Sequence, residues 1–115
     1  MRAAILRNGR FSVESVPDPR PVAGTVVLQV AACGICGTDH GIFKNRLLPE
    51  GAILGHEFAG TVVEVGSGVV DWQEGDRAAV LPIPFCGRCE LCVSGKQNLC
   101  RHGLLNTIGC SGEAG

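Results

Sequence analysis

Tyrosine is absent from this chain of 115 residues, and phenylalanine and tryptophan together make up only 4% of it. Surfaces that stack nucleobases need aromatic faces, so the composition argues against a single-stranded nucleic-acid platform. An excess of one charge is missing too: ten Lys and Arg stand against eleven Asp and Glu, for a net charge of −1. With no basic stripe and no acidic tail, there is no electrostatic case for nucleic acid or a membrane surface as partner. Long hydrophobic runs are also lacking. The richest, Val26 to Ala32, is short and carries Gln29, far below the roughly 20 apolar residues that span a bilayer as a helix. The opening stretch Met1-Arg2-Ala3-Ala4-Ile5-Leu6-Arg7 has no long apolar core followed by a small-residue cleavage site. The expected compartment is therefore a reducing cytoplasm.

What is present is glycine and cysteine. Hydrophobic residues make up 45% of the chain, enough for a core, and the length suits one domain over residues 1–115. Seventeen glycines and six prolines point to many turns between short strands. Met1 to Leu6 reads as a strand, and Phe11 to Val16 pairs with it across Asn8-Gly9, a strong hairpin signal. The proline-rich stretch 17–21 reads as a surface connection. Thr25 to Ala32 reads as a buried Val-rich strand. Cys36 to Phe43 reads as a short helix capped by Thr38 or Asp39. Phe58 to Val65 and Asp76 to Leu81 complete the strands. Short strands at regular spacing with glycine corners predict a mainly β domain, a small barrel or sandwich.

The seven cysteines are an odd number, which complete intramolecular pairing cannot satisfy. Four of them, Cys86, Cys89, Cys92 and Cys100, follow the spacing C-x2-C-x2-C-x7-C. Four thiolates in one loop can close a tetrahedral zinc site with every position filled by protein, the pattern of a structural rather than a catalytic site. The alternative is a pair of disulfides; spacing and compartment favour zinc. Gly87, Arg88, Gly95 and Lys96 between them are small or polar, so bound metal would have to supply the shape of this loop.

A second group lies upstream: Cys33-Gly-Ile-Cys36-Gly-Thr38-Asp39 and Gly55-His56-Glu57. Cys, His and Glu are all zinc ligands, and three protein ligands with an open fourth position make a catalytic site. Taken alone, the Cys33/Cys36 pair also suits a redox couple or half a zinc knuckle, and a His beside a Glu suits a surface pair. The surrounding motif is more specific. Gly55-His56-Glu57-x-x-Gly60-x5-Gly66-x2-Val69 resembles the signature of the zinc-containing alcohol dehydrogenases of the medium-chain dehydrogenase/reductase superfamily. Cys33 to Asp39, Val63 to Gly66, Gly75-Asp76-Arg77 and the four-cysteine loop match in the same order, over essentially the whole chain.

The resemblance implies a GroES-like, partly open β-barrel with a short helix and a zinc-stabilised loop over 86–100. It implies two zinc ions. One is catalytic, held by Cys36 and His56, with Glu57 as a carboxylate that exchanges on and off the metal. The other is structural, held by Cys86, Cys89, Cys92 and Cys100. It assigns Thr38 to touch the substrate alcohol and pass its proton outward, and Asp39 to orient the zinc-bound histidine. The implied reaction is hydride transfer from an alkoxide of a small-molecule alcohol to NAD or NADP. A homo-oligomer is implied for full-length members, and Gly37 after the zinc cysteine leans the substrate toward polyols, sugars or secondary alcohols.

Three features depart from the pattern. The family carries a Rossmann domain after the barrel and a further zinc ligand within it. The glycine fingerprint of that domain appears nowhere here, the glycines from Gly109 to Gly115 having no helix behind them. The chain is thus expected to be an N-terminal portion, inactive alone. The relay histidine that many relatives place five residues after the zinc cysteine is Gly41 here, with His40 one position earlier; His40 could stand in, face solvent or do neither. Cys33 and Cys110 match no ligand position, and are expected as a small buried residue and a free thiol. Two other readings stand beside the dehydrogenase: a stand-alone zinc-binding GroES-like module, and a thiol redox protein using Cys33 and Cys36. The latter requires a βαβ context that the strand order does not offer.

Overall fold

The structure, a computed structural model, describes residues 1–103, 108 and 109. The Asn8-Gly9 signal gives the expected hairpin. Strand β1 (Arg2–Arg7) pairs antiparallel with β2 (Arg10–Ser15), with Arg7 opposite Arg10. Both turn residues take positive φ, 50° at Asn8 and 74° at Gly9, the backbone twist that suits a two-residue hairpin. The hairpin is clipped to the chain further on. Ile5 bridges Ile53, Leu6 N–H donates to the Ala52 carbonyl at 2.9 Å, and Gly51 N–H donates to the Leu6 carbonyl at 3.0 Å. Leu6, Leu48 and Ala52 form a small buried core at this junction, with Ile42 and Leu54 packed against it.

The second sheet is antiparallel, in the order β3 (Val26–Gly34), β4 (Glu57–Val65), β5 (Arg77–Ala79). The register of β3 against β4 shifts twice, between Val27 and Leu28 and between Val30 and Ala32. At Gly60, a Cβ would collide with the Gln29 carbonyl; only glycine lets the strands approach this closely. The two sheets remain open rather than closing on each other, as expected of a partly open barrel.

Two expectations need correction. Strand β3 is not buried: Val26–Leu28 are half-buried and every residue from Gln29 onward is exposed. It forms an edge of its sheet, and a Val-rich sequence does not say what covers it. The helix α1 (Gly37–Lys44) is capped neither by Thr38 nor by Asp39. Cys36 is the cap, extended at φ −104° and ψ 176°, and its Sγ accepts the Thr38 N–H at 3.2 Å. Asp39 reaches back to accept the Cys36 N–H at 2.8 Å, a capping box with sulfur in place of the usual hydroxyl. Beyond β5 the chain forms the four-residue helix α2 (Glu90–Val93) and a 3-10 turn at Gln97–Leu99. No helix among the described residues is long and apolar enough to cross a membrane.

Candidate metal centres

The four spaced cysteines converge. Sγ of Cys89 lies 3.5 Å from that of Cys92 and 4.0 Å from that of Cys100, and Cys86 Sγ lies 4.0 Å from Cys92 Sγ. A tetrahedron with ~2.3 Å metal–sulfur bonds has sulfur–sulfur edges of about 3.8 Å. A disulfide needs sulfurs about 2.05 Å apart. The spacings fit the first geometry and not the second, and all six cysteines among the described residues are free thiols. Helix α2 supplies the turn that makes this possible: Cys89 is its N-terminal flank, and Cys92 lies on its buried side.

Electrostatics at this cluster favour a cation. The Cys92 backbone N–H donated to its sulfur holds the Cys89 thiol down to about 6, whereas burial pushes the Cys92 thiol up to about 12. The Cys86 backbone N–H, 3.3 Å from its sulfur, pulls Cys100 down as well. Cys89 and Cys100 thus ionise more readily than a free thiol, whereas Cys92 resists, first because it is buried and then because of the sulfurs beside it. A divalent ion removes that resistance and lets all four act as ligands.

The second group is built by the N-terminus of α1 and the segment entering β4. Cys36 Sγ stands 3.2 Å from His56 Nε2, and Asp39 Oδ1 stands 3.1 Å from His56 Nδ1. Asp39 and His56 are both buried. Asp39 Oδ2 accepts the Cys36 N–H, while the buried Oδ1 faces His56 Nδ1 without completing a hydrogen bond of good geometry. Ligand atoms of Cys36, Asp39 and His56 all lie within 4.8 Å of one another. A metal held by a histidine usually has a carboxylate on the other ring nitrogen, and the donors here are arranged in that way.

Other residues singled out in the sequence fall elsewhere. Glu57 is exposed on the first residue of β4, its carboxylate over Gly34 and outside the Cys36–Asp39–His56 group. Thr38 and His40 are exposed on α1. Cys33, expected to be buried, is exposed on the open edge of β3. Its sulfur lies 2.8 Å from where a Cβ of Gly55 would stand, so it fills the gap that Gly55 leaves at φ +135°. Cys110 lies outside the described residues. The use of Cys36 as a helix cap had no signal in the sequence, since cysteine is not a usual capping residue.

Open β sheets carrying a four-thiolate loop and a separate Cys–His–Asp group define a domain of the zinc-type dehydrogenases. The chain matches the alcohol dehydrogenase GroES-like domain over residues 22–115 and belongs to that family. It is 42% identical over 106 residues to sorbitol dehydrogenase of Bacillus subtilis strain 168, covering 87% of this chain and 30% of that protein. It is 43% identical over 109 residues to L-threonine 3-dehydrogenase of Saccharopolyspora erythraea, covering 89% and 32%. It superposes on the cobalt- and zinc-bound thermostable alcohol dehydrogenase from Pyrobaculum aerophilum with a TM-score of 0.88 and 30% identity, over 100% of this chain and 36% of that one. The chain spans about a third of the length of the relatives it matches.

Proposed function

We propose that this chain is the zinc-holding catalytic portion of a nicotinamide-dependent dehydrogenase that oxidises a secondary alcohol of a polyol, sugar or related small molecule. The observation that carries the reading is the Cys36–His56–Asp39 geometry, with Nε2 turned to the thiol and Nδ1 to the carboxylate. Sorbitol and threonine, for which two relatives are named, both carry secondary hydroxyls, which supports that substrate class.

Cys36 Sγ and His56 Nε2 are the ligands this chain offers at the catalytic position. Cys86, Cys89, Cys92 and Cys100 are those of a structural site. Zinc, when bound, supplies Lewis acidity that brings a hydroxyl toward neutral pKa, and NAD or NADP supplies the hydride acceptor. Asp39 keeps the histidine proton on Nδ1, so that the Nε2 lone pair is free for the metal. The Thr38 backbone N–H and the start of α1 complement negative charge on the Cys36 sulfur. The Thr38 hydroxyl, on the exposed first turn, takes the substrate proton and passes it toward solvent. Glu57, next to His56 in the chain but exposed and outside the Cys36–Asp39–His56 group, would be a further carboxylate for the metal once its side chain turned inward.

Cobalt substitution tests the two-site reading. The chain loaded with cobalt should show strong thiolate-to-metal absorption from the four-sulfur site and a second, weaker visible spectrum from the Cys36/His56 site. His56→Ala should remove the second and spare the first. A single metal class unaffected by His56→Ala would overturn the catalytic assignment and leave a zinc-binding module. In the longer protein, Cys36→Ser should abolish turnover.

A further inference from the structure

At the far end of α1 from Cys36, the tip of the β1–β2 hairpin and the segment after the helix enclose a cleft of about 570 Å³. This volume lies within the usual range for small-molecule sites, roughly 300–1,000 Å³. Leu48 and Phe43 give it an apolar floor, and Arg10, Lys44, Arg46 and Glu50 line its walls. The one carboxylate is occupied: both Glu50 oxygens accept the Asn8 N–H at 3.1 Å. The nearby Arg7 is engaged by Glu14. Arg10, Lys44 and Arg46 form no ion pair among the described residues. Three cations and one anion leave the cleft two charges positive, in a chain whose net charge is −1.

Arg46 reaches this cleft from a backbone position that glycine normally takes. The Leu47 N–H donates to the Ile42 carbonyl at 3.0 Å and the Arg46 N–H to the Phe43 carbonyl at 3.1 Å, which closes α1 with a Schellman turn. Arg46 is the left-handed residue of that turn, at φ 54°. A glycine there would avoid the steric penalty. A non-glycine residue held in the left-handed region is a pointer to a role beyond folding.

We propose that this cleft binds a small organic phosphate monoester, its phosphate held by Arg10, Lys44 and Arg46 and its apolar body resting on Phe43 and Leu48. A phosphate monoester carries about −1.5 to −2 charges at neutral pH, which balances the cleft. Guanidinium forks match phosphate oxygens in pairs. The site is separate from the proposed metal centre, because none of Cys36, Asp39 and His56 lines it.

The test uses the zinc-loaded chain and phenyl phosphate as probe, followed by amide NMR. Saturable shifts at Gly9, Arg10, Lys44 and Arg46 are expected. Inorganic phosphate should bind more weakly at the same amides, and phenol should leave them unmoved. Arg10→Gln and Lys44→Gln should each weaken phenyl phosphate by about tenfold, the loss of one charge-assisted contact. Arg46→Gly separates binding from folding: it should raise the melting temperature while weakening the probe. Equal shifts from sodium chloride at matched ionic strength would reduce the effect to screening and overturn the proposal. So would binding unchanged in all three variants, or shifts centred on Thr38 and His56 in place of the cleft.

Discussion

Asp39 does two jobs with one carboxylate, fixing the start of α1 and facing the His56 ring from behind. Replacing it with Asn keeps the size and removes the charge. Asp39→Asn should lower metal affinity at the Cys36/His56 position by about 10–100-fold, the usual effect of removing a carboxylate behind a metal-bound histidine. The four-thiolate site should be unaffected. Competition with a chromophoric chelator measures both affinities in one titration, and equal losses at the two sites would contradict the separate assignments. Glu14 offers a test by pH. Its hydrogen bonds from Arg7, and then from Ser12, hold its carboxyl below the usual range. A folded pKa below the unfolded one means that the stabilisation is present above the unfolded value and is lost as pH falls through the folded one. Protection of the hairpin amides, their exchange relative to an unfolded chain at the same pH, should therefore fall slightly on acidification below about pH 4, and Glu14→Gln should show the lower protection at every pH.

The loop from Cys86 to Cys100 has little apolar packing of its own. Its buried residues are the two ligand candidates Cys92 and Cys100, while Phe85, Val93 and Leu99 are exposed. Metal binding there is folding free energy. Cys92→Ser should lower the melting temperature and release one metal equivalent, whereas Cys36→Ser should leave this loop protected from hydrogen exchange. The convergence of its four cysteines was legible from spacing alone, because they are local in sequence. The hairpin was legible for the same reason, its turn being written in Asn8-Gly9. The Cys36–His56 contact joins separate segments, and family resemblance rather than periodicity pointed to it. Neither the exposure of β3 nor the capping sulfur of Cys36 could be read in advance. The first depends on what lies beside an edge strand, and the second on a cysteine acting where serine or threonine is usual. The cationic cleft was equally hidden, since it arises when residues 8–10 are folded against residues 43–50.

Taken whole, the described chain offers two donor groups and no glycine-rich strand-to-helix turn for a dinucleotide. Elemental analysis should find close to two zinc ions per chain, falling to one after brief chelation, because four clustered thiolates release metal more slowly than a thiolate and an imidazole. Incubated with zinc, NAD or NADP and a panel of polyols, the 115-residue chain should give no sustained rise in reduced cofactor. Hydride transfer needs the nicotinamide held within roughly 3–3.5 Å of the reacting carbon, and free cofactor in solution does not supply that positioning. Turnover well above a no-protein control would reveal a cofactor site in this domain. The clip between the hairpin and residues 50–53 also sets an order of events in time. Closing β1 on β2 involves a two-residue turn and belongs to the microsecond range, about 1–10 μs. Seating the hairpin joins Asn8 to Glu50, 42 positions apart, and must await a much larger loop closure. A cavity-forming change in β1 such as Leu6→Ala should therefore leave the hairpin's own formation rate nearly unchanged and slow its docking, and two probes, one on each step, would separate in a laser temperature-jump record.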